Sequence, residues 1–146
     1  MVRKVSVFLL LAAVLLFGGY AEAARRTFGD AFSVDVPSGW QVEEEGDEST
    51  AQITFTAPDN SRASIFVGVN DEGATARDVA VEIAEAVGGS TPVADEDGDY
   101  TFTFRSDDGL DGAGFVAVNE EVAVIFLVIG DNPQMEAFLG SFELVE

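Results

Sequence analysis

Val122-Ala123-Val124-Ile125-Phe126-Leu127-Val128-Ile129 sets eight apolar residues in a row, with no polar position on either face of a strand. Bounded by Asn119-Glu120-Glu121 and Gly130-Asp131-Asn132, the run is too short for a membrane helix and rich in the β-branched types that strands favour. A strand that is apolar on both sides is central in its sheet and calls for cover on each face. This chain therefore needs a layered fold, with partners for that strand on both edges.

The rest of the sequence supplies them. Phe32-Ser33-Val34-Asp35-Val36 alternates apolar and polar, and Pro37-Ser38-Gly39 turns the chain towards Trp40 and Val42 in the next strand. Glu43 to Thr50 reads as an acidic loop. Ile53 and Phe55 share one face of a strand over 51–56, and Pro58-Asp59-Asn60-Ser61 connects it to a strand over 63–69. The period then changes. Ala76, Val79, Ile83, Ala86 and Val87 fall on one helical stripe, with Thr75 as N-cap and Gly88-Gly89 as the C-terminal stop. Tyr100, Phe102 and Phe104 alternate with Thr101, Thr103 and Arg105, and a strand over 114–119 leads by a hairpin into the apolar run. Asp131 or Asn132, followed by Pro133, opens a final helix that buries Met135, Phe138, Leu139 and Phe142, expected on the sheet face opposite the first helix. This order predicts an α+β fold, a mostly antiparallel sheet of about six to eight strands covered by two helices in a layered sandwich.

The first residues are of another kind. Arg3-Lys4, an apolar run from Val5 to Phe17, and Ala21-Glu22-Ala23 together describe a signal peptide cleaved after Ala23. Residues 1–23 are accordingly read as a signal segment and 24–146 as one domain, exported to the periplasm or the extracellular space. The uncharged span from Val5 to Ala21 has 17 residues, at the short end of what crosses a bilayer. Arg25-Arg26 follows the apolar run, so it is not a twin-arginine signal, and with no cysteine there is no lipid anchor.

Composition then excludes chemistry. The chain has 27 acidic residues against seven Lys plus Arg, a formal charge of −20, no histidine and no cysteine. Ser-His-Asp and Cys-His nucleophile systems, thiolate metal sites and disulfides are ruled out. Nucleic acid and anionic lipid reward clustered Lys and Arg, so neither is an expected partner, and no membrane contact is expected after signal cleavage. Removal of Arg3, Lys4 and Glu22 leaves a domain with no lysine at all and no phosphate-binding glycine loop that needs one.

Phe32-Ser33-Val34-Asp35-Val36-Pro37-Ser38-Gly39-Trp40, two strands joined by a Pro-x-Gly-Trp turn, resembles the opening of PsbP-like domains. The later order is similar too: helix, aromatic strand, hairpin, then Ile129-Gly130 and a closing helix that ends at Ser141-Phe142. The likeness runs through nearly the whole of 24–146 and identifies the chain with the PsbP-like superfamily (PsbP and the Mog-type fold), as a small exported bacterial member. It implies an accessory or binding role without common catalytic residues. No enzymatic activity and no cofactor are expected, and the expected partner is another exported or envelope protein.

Two acidic loops compete with that reading. Asp95-Glu96-Asp97-Gly98-Asp99 and Asp107-Asp108-Gly109-Leu110-Asp111-Gly112 offer Asp95, Asp97, Asp99, Asp107, Asp108 and Asp111 as oxygen ligands for calcium. Counted from Asp95 as an EF-hand loop, the sixth position is Tyr100 instead of glycine and the twelfth is Ser106 instead of glutamate. Asp-Gly is also a common way to build a tight turn, which is the plainer account. A small-ligand pocket behind Tyr100, Phe102 and Phe104 is the related alternative, against an ordinary aromatic core. A carboxylate-only hydrolase, drawing on Glu43-Glu44-Glu45 or Glu120-Glu121, is a third. Trp40 is expected to close one end of the core with its indole N–H on a backbone carbonyl, the alternative being a ring that lines a ligand cleft.

Overall fold

The apolar run forms β9 (Val122–Ile129), the middle strand of a seven-stranded sheet whose order is β3 (Gln41–Gly46), β4 (Thr50–Thr56), β5 (Arg62–Val69), β9, β8 (Asp111–Val118), β7 (Tyr100–Arg105), β6 (Val93–Ala94). The structure is a computed structural model and describes residues 23–47, 49–70 and 72–145. The expected signal segment thus lies outside the described residues, apart from Ala23. Among the described residues no helix is long and apolar enough to cross a membrane.

Gln41–Asn132 forms one compact unit. Its strands are β3 to β9, and every pairing is antiparallel. Its helix α1 (Ala76–Val87) has the predicted ends. Thr75 Oγ1 accepts the Asp78 N–H at 3.1 Å, and Gly88 adopts the left-handed conformation with φ 68°. The stripe is rotated from the expected one: Ala80 and Ala84 are buried against Phe102 and Val116, Ala76, Val79, Ile83 and Val87 are part-buried around them with Tyr100 and Leu127, and Ala86 is exposed. α1 therefore lies over β7 and β8.

The aromatic strand fits there because its neighbour is bare. Phe102 faces Gly114 and Phe104 faces Gly112 across the β7–β8 ladder. A Cβ at Gly112 would sit 2.6 Å from the Phe104 ring, and one at Gly114 would fall inside the Phe102 ring contact. The two rings thus lie flat over glycine backbone, which lets the helix approach. On the opposite face Ile53, Phe55, Ala63, Ile65, Val67 and Val124 are buried, and Phe115 stacks on Phe126 with centroids 5.7 Å apart.

The segments that end at Trp40 and begin at Pro133 form a second compact unit. Here β1 (Ala23–Phe28), β2 (Phe32–Pro37) and β10 (Glu143–Leu144) make an antiparallel sheet in the order β1-β2-β10, with α2 (Met135–Gly140) against β2. Phe32 sits between Phe28 and Phe142, with ring centroids 5.3 and 5.2 Å away. The architecture is α+β, antiparallel sheets with two helices, as the residue pattern predicts.

The Pro37–Gly39 turn leads, as expected, from β2 to the next strand, β3, which belongs to the other sheet. β1 runs through Arg25 and Arg26 and pairs them with Asp35 and Val34 of β2. Two local readings change. Glu43, Glu44 and Glu45 are not loop residues but the body of edge strand β3, paired to Thr54, Ile53 and Gln52. A ladder needs only backbone groups, and an edge strand leaves its charged side chains in water. The final helix starts at Met135, after a turn at Pro133–Gln134, and has no side-chain cap.

Candidate functional site

The Asp95–Asp99 segment is the hairpin turn between β6 and β7. Asp95 N–H donates to the Asp99 carbonyl at 2.8 Å, and Asp95 Oδ1 accepts the N–H groups of Asp97 and Asp99 at 2.8 and 3.1 Å. Gly98 takes φ 84°, which the turn requires. The consequence is that Asp95, Asp97 and Asp99 bring carboxylate oxygens within 4.8 Å of one another. Burial pushes the Asp99 carboxyl above its ordinary value, and the Asp95 and Asp97 charges push it the same way.

The second acidic loop is used differently. Ser106 Oγ accepts the Leu110 N–H at 3.1 Å and its hydroxyl donates to Asp108, which shapes the β7–β8 turn. Asp108 also receives both guanidinium arms of Arg62, at 3.2 Å each. Hydrogen bonds from Arg62 and then Ser106 hold its carboxyl at about 2. Asp111 pairs with Arg105 at 3.0 Å. Of the six candidate ligands, the fold brings Asp95, Asp97 and Asp99 together, whereas Asp108 and Asp111 are engaged by arginines and Asp107 is exposed.

Beside the first turn lies a shallow cleft of about 420 Å³ at the N-terminal end of α1, lined among others by Asn70, Thr75, Arg77, Gly98, Tyr100 and Asn119. Asn70 fixes its wall. This buried amide donates from Nδ2 to the carbonyls of Ala74 and Asn119, at 3.0 and 2.7 Å, and accepts the Ala74 N–H at 3.0 Å. It thereby ties the segment before α1 to the β8–β9 turn. Nothing in the local sequence marks Asn70, because its partner Asn119 is 49 residues away. Of the aromatic triplet, Tyr100 reaches the cleft, whereas Phe102 is core and Phe104 lies over Gly112.

Glu43, Glu44 and Glu45 are exposed along β3 and do not line the cleft, whereas Glu120 and Glu121 are exposed in the β8–β9 turn, where Glu120 lines it. Trp40 is buried against Phe138, ring centroids 5.1 Å apart, which is the packing role expected of it. Its indole N–H, however, meets no acceptor among the described residues, so the anticipated bond to a backbone carbonyl is not formed.

The solution structure of cyanobacterial PsbP (CyanoP) from Synechocystis sp. PCC 6803 is similar over 87% of this chain and 95% of its own, with a TM-score of 0.58 and 18% identity. The fold is PsbP-like. At that identity the likeness is one of fold, and the PsbP-like framework assigns no residue a role. No family model and no curated protein sequence matches the chain.

Proposed function

We propose that this protein is an exported, non-catalytic binding or accessory module with a protein partner. The observation that carries the reading is the PsbP-like fold, similar to CyanoP along almost the whole of both chains. The surface is consistent with it. The cleft at α1 is lined by Asn70, Asn119, Thr75, Tyr100 and Arg77 with one carboxylate, Glu120, and the glutamate runs named above stand exposed in water. Export rests on the Arg3-Lys4, Val5–Phe17 and Ala21-Glu22-Ala23 pattern in the sequence. Affinity capture from the envelope and secreted fractions, with a tag at the C-terminus, tests both parts. A stoichiometric partner supports the reading. Retention of the protein in the cytoplasm, or turnover in a hydrolase screen that one carboxylate substitution abolishes, overturns it.

A second reading, a cation-binding protein, is favoured by the convergence of Asp95, Asp97 and Asp99. Calcium wants several hard oxygens, and three carboxylates on one turn are the start of such a set. Calorimetric titration with calcium chloride checks it. Heat that is lost in Asp97→Asn supports a specific site, and no heat at millimolar calcium ends the idea.

A further inference from the structure

β3 is an edge strand six residues long, paired to β4 on one side and, among the described residues, to no strand on the other. Its outward hydrogen-bonding positions follow from the register. Asp47 N–H donates to the Thr50 carbonyl, so the pairs 47–50, 45–52 and 43–54 are the mutually bonded ones of the ladder. The N–H and C=O groups of Val42 and Glu44 therefore point away from the sheet. The strand is also held firmly in shape. Asp47 Oδ1 accepts the N–H groups of Ser49 and Thr50 at 2.9 and 3.0 Å, which fixes the β3–β4 turn.

The edges β6 and β10 are each two residues long, and the β1 edge, six residues long like β3, carries Arg25 and Arg26 and so does not share the acidic character of β3. Along β3, by contrast, Glu43, Glu44 and Glu45 are exposed in succession and project alternately from the two faces. On the face that carries Glu43 and Glu45, the strands β4 and β5 show Gln52, Thr54, Ser64 and Phe66 part-exposed, because α1 lies over β7 and β8 and not over them.

We propose that the β3 edge is a docking site for a basic, extended protein segment, which adds as a strand and sets Lys or Arg opposite Glu43, Glu44 and Glu45. The charge decides between occupants. A second copy of this chain would bring −20 against −20, and an acidic strand would set like charges directly opposite one another. A segment with basic residues at successive positions meets a glutamate on each face while its backbone bonds the outward groups of Val42 and Glu44. This rests on the reading of the protein as a binding module and names the class of partner.

The test uses the folded chain, isotope-labelled for NMR, and two synthetic decapeptides of the same Thr/Val background, one with a central Lys-Arg-Lys and the other with Glu-Asp-Glu. The expected result is slowed amide exchange at Val42 and Glu44 with the basic peptide only. Glu43→Gln/Glu44→Gln/Glu45→Gln should weaken that binding about tenfold, as three exposed ion pairs imply. The charge-matched control Asp78→Asn/Glu82→Gln/Glu85→Gln, on α1, should change it by less than about twofold. Glu44→Pro removes an outward N–H and leaves the ladder to β4 intact, so it should abolish binding while thermal unfolding stays cooperative. Equal losses in both triple variants, or protection away from β3, overturn the proposal. So does a partner captured from the envelope whose binding ignores the β3 variants, and that outcome leaves the binding-module reading standing.

Discussion

Arg25 Nη1 lies 3.0 Å from Asp35 Oδ1 across the β1–β2 pair, and the same guanidinium reaches the Ser141 carbonyl at 2.7 Å and Glu143 Oε1 at 2.8 Å. One side chain thus joins the first strand of its unit to the last turn and the last strand. The Arg25 side chain is 13% exposed and each carboxylate 46%, so the charge is screened on one side only. Ser141 completes the clasp, its Oγ accepting the Asp35 N–H at 2.8 Å.

Arg25→Met is expected to lower stability by about 1–3 kcal/mol, because the carbonyl loses its donor and two half-buried carboxylates are left facing each other. Arg25→Lys should recover part of the loss, since a single ammonium cannot span three acceptors. Thermal unfolding of both variants checks this, and equal melting temperatures for wild type and Arg25→Met would remove the clasp from the account.

The glycine beneath Phe102 gives a second expectation. Phe102 is 4% exposed and enclosed by α1, so it has no room to yield to a methyl group at position 114. Gly114→Ala should therefore cost about 1–3 kcal/mol by overpacking. Adding Phe102→Leu should recover some of that, a sign of direct contact between the two positions. Denaturant melts of the two single variants and the double variant form the cycle, and strict additivity would refute the contact.

These cases show what a sequence makes legible. α1 was readable because its determinants are local: Thr75 and Gly88 act within a turn of the helix they bound. The apolar run from Val122 to Ile129 was readable as a central strand because no other strand position suits it. β3 was not, because Glu43 to Glu45 carry no apolar period, and what makes them a strand is backbone pairing to 52–54. In the site, the Asp95–Asp99 turn is formed by bonds within five residues and shows in the sequence. The Arg62–Asp108 pair spans 46 residues, and only the sheet brings its members together. The alternation of Phe102 and Phe104 was visible, but not that their partners would be Gly112 and Gly114.

The Arg62–Asp108 pair makes stability depend on pH in the acid range. Asp108 titrates at about 2 when folded and near 3.8 when free. A depressed carboxylate stabilises the fold above its unfolded pKa, and that contribution is lost as pH falls from about 4 through about 2. Asp108→Asn should therefore be less stable than wild type at pH 7, and the two should converge by pH 2. Melting curves across that range check the sign, and a gap that stays constant with pH would show that the charge is not involved.

Asp99 has the opposite sign. Burial and the charges of Asp95 and Asp97 raise its folded pKa above the ordinary 3.8. A raised carboxylate stabilises the fold below the unfolded pKa, and that contribution is lost as pH rises through the folded value. At neutral pH the ionised Asp99 thus works against folding. Asp99→Asn keeps the backbone bonds of the turn, since Asp95 Oδ1 binds the N–H of position 99 and not its side chain. The variant should melt higher than wild type at pH 7, and the advantage should vanish below about pH 3. Saturating calcium separates repulsion from binding. If the three carboxylates hold the ion, calcium raises the melting temperature of the wild type and not of Asp99→Asn; if they only repel one another, raising the sodium chloride concentration alone closes the gap between the two.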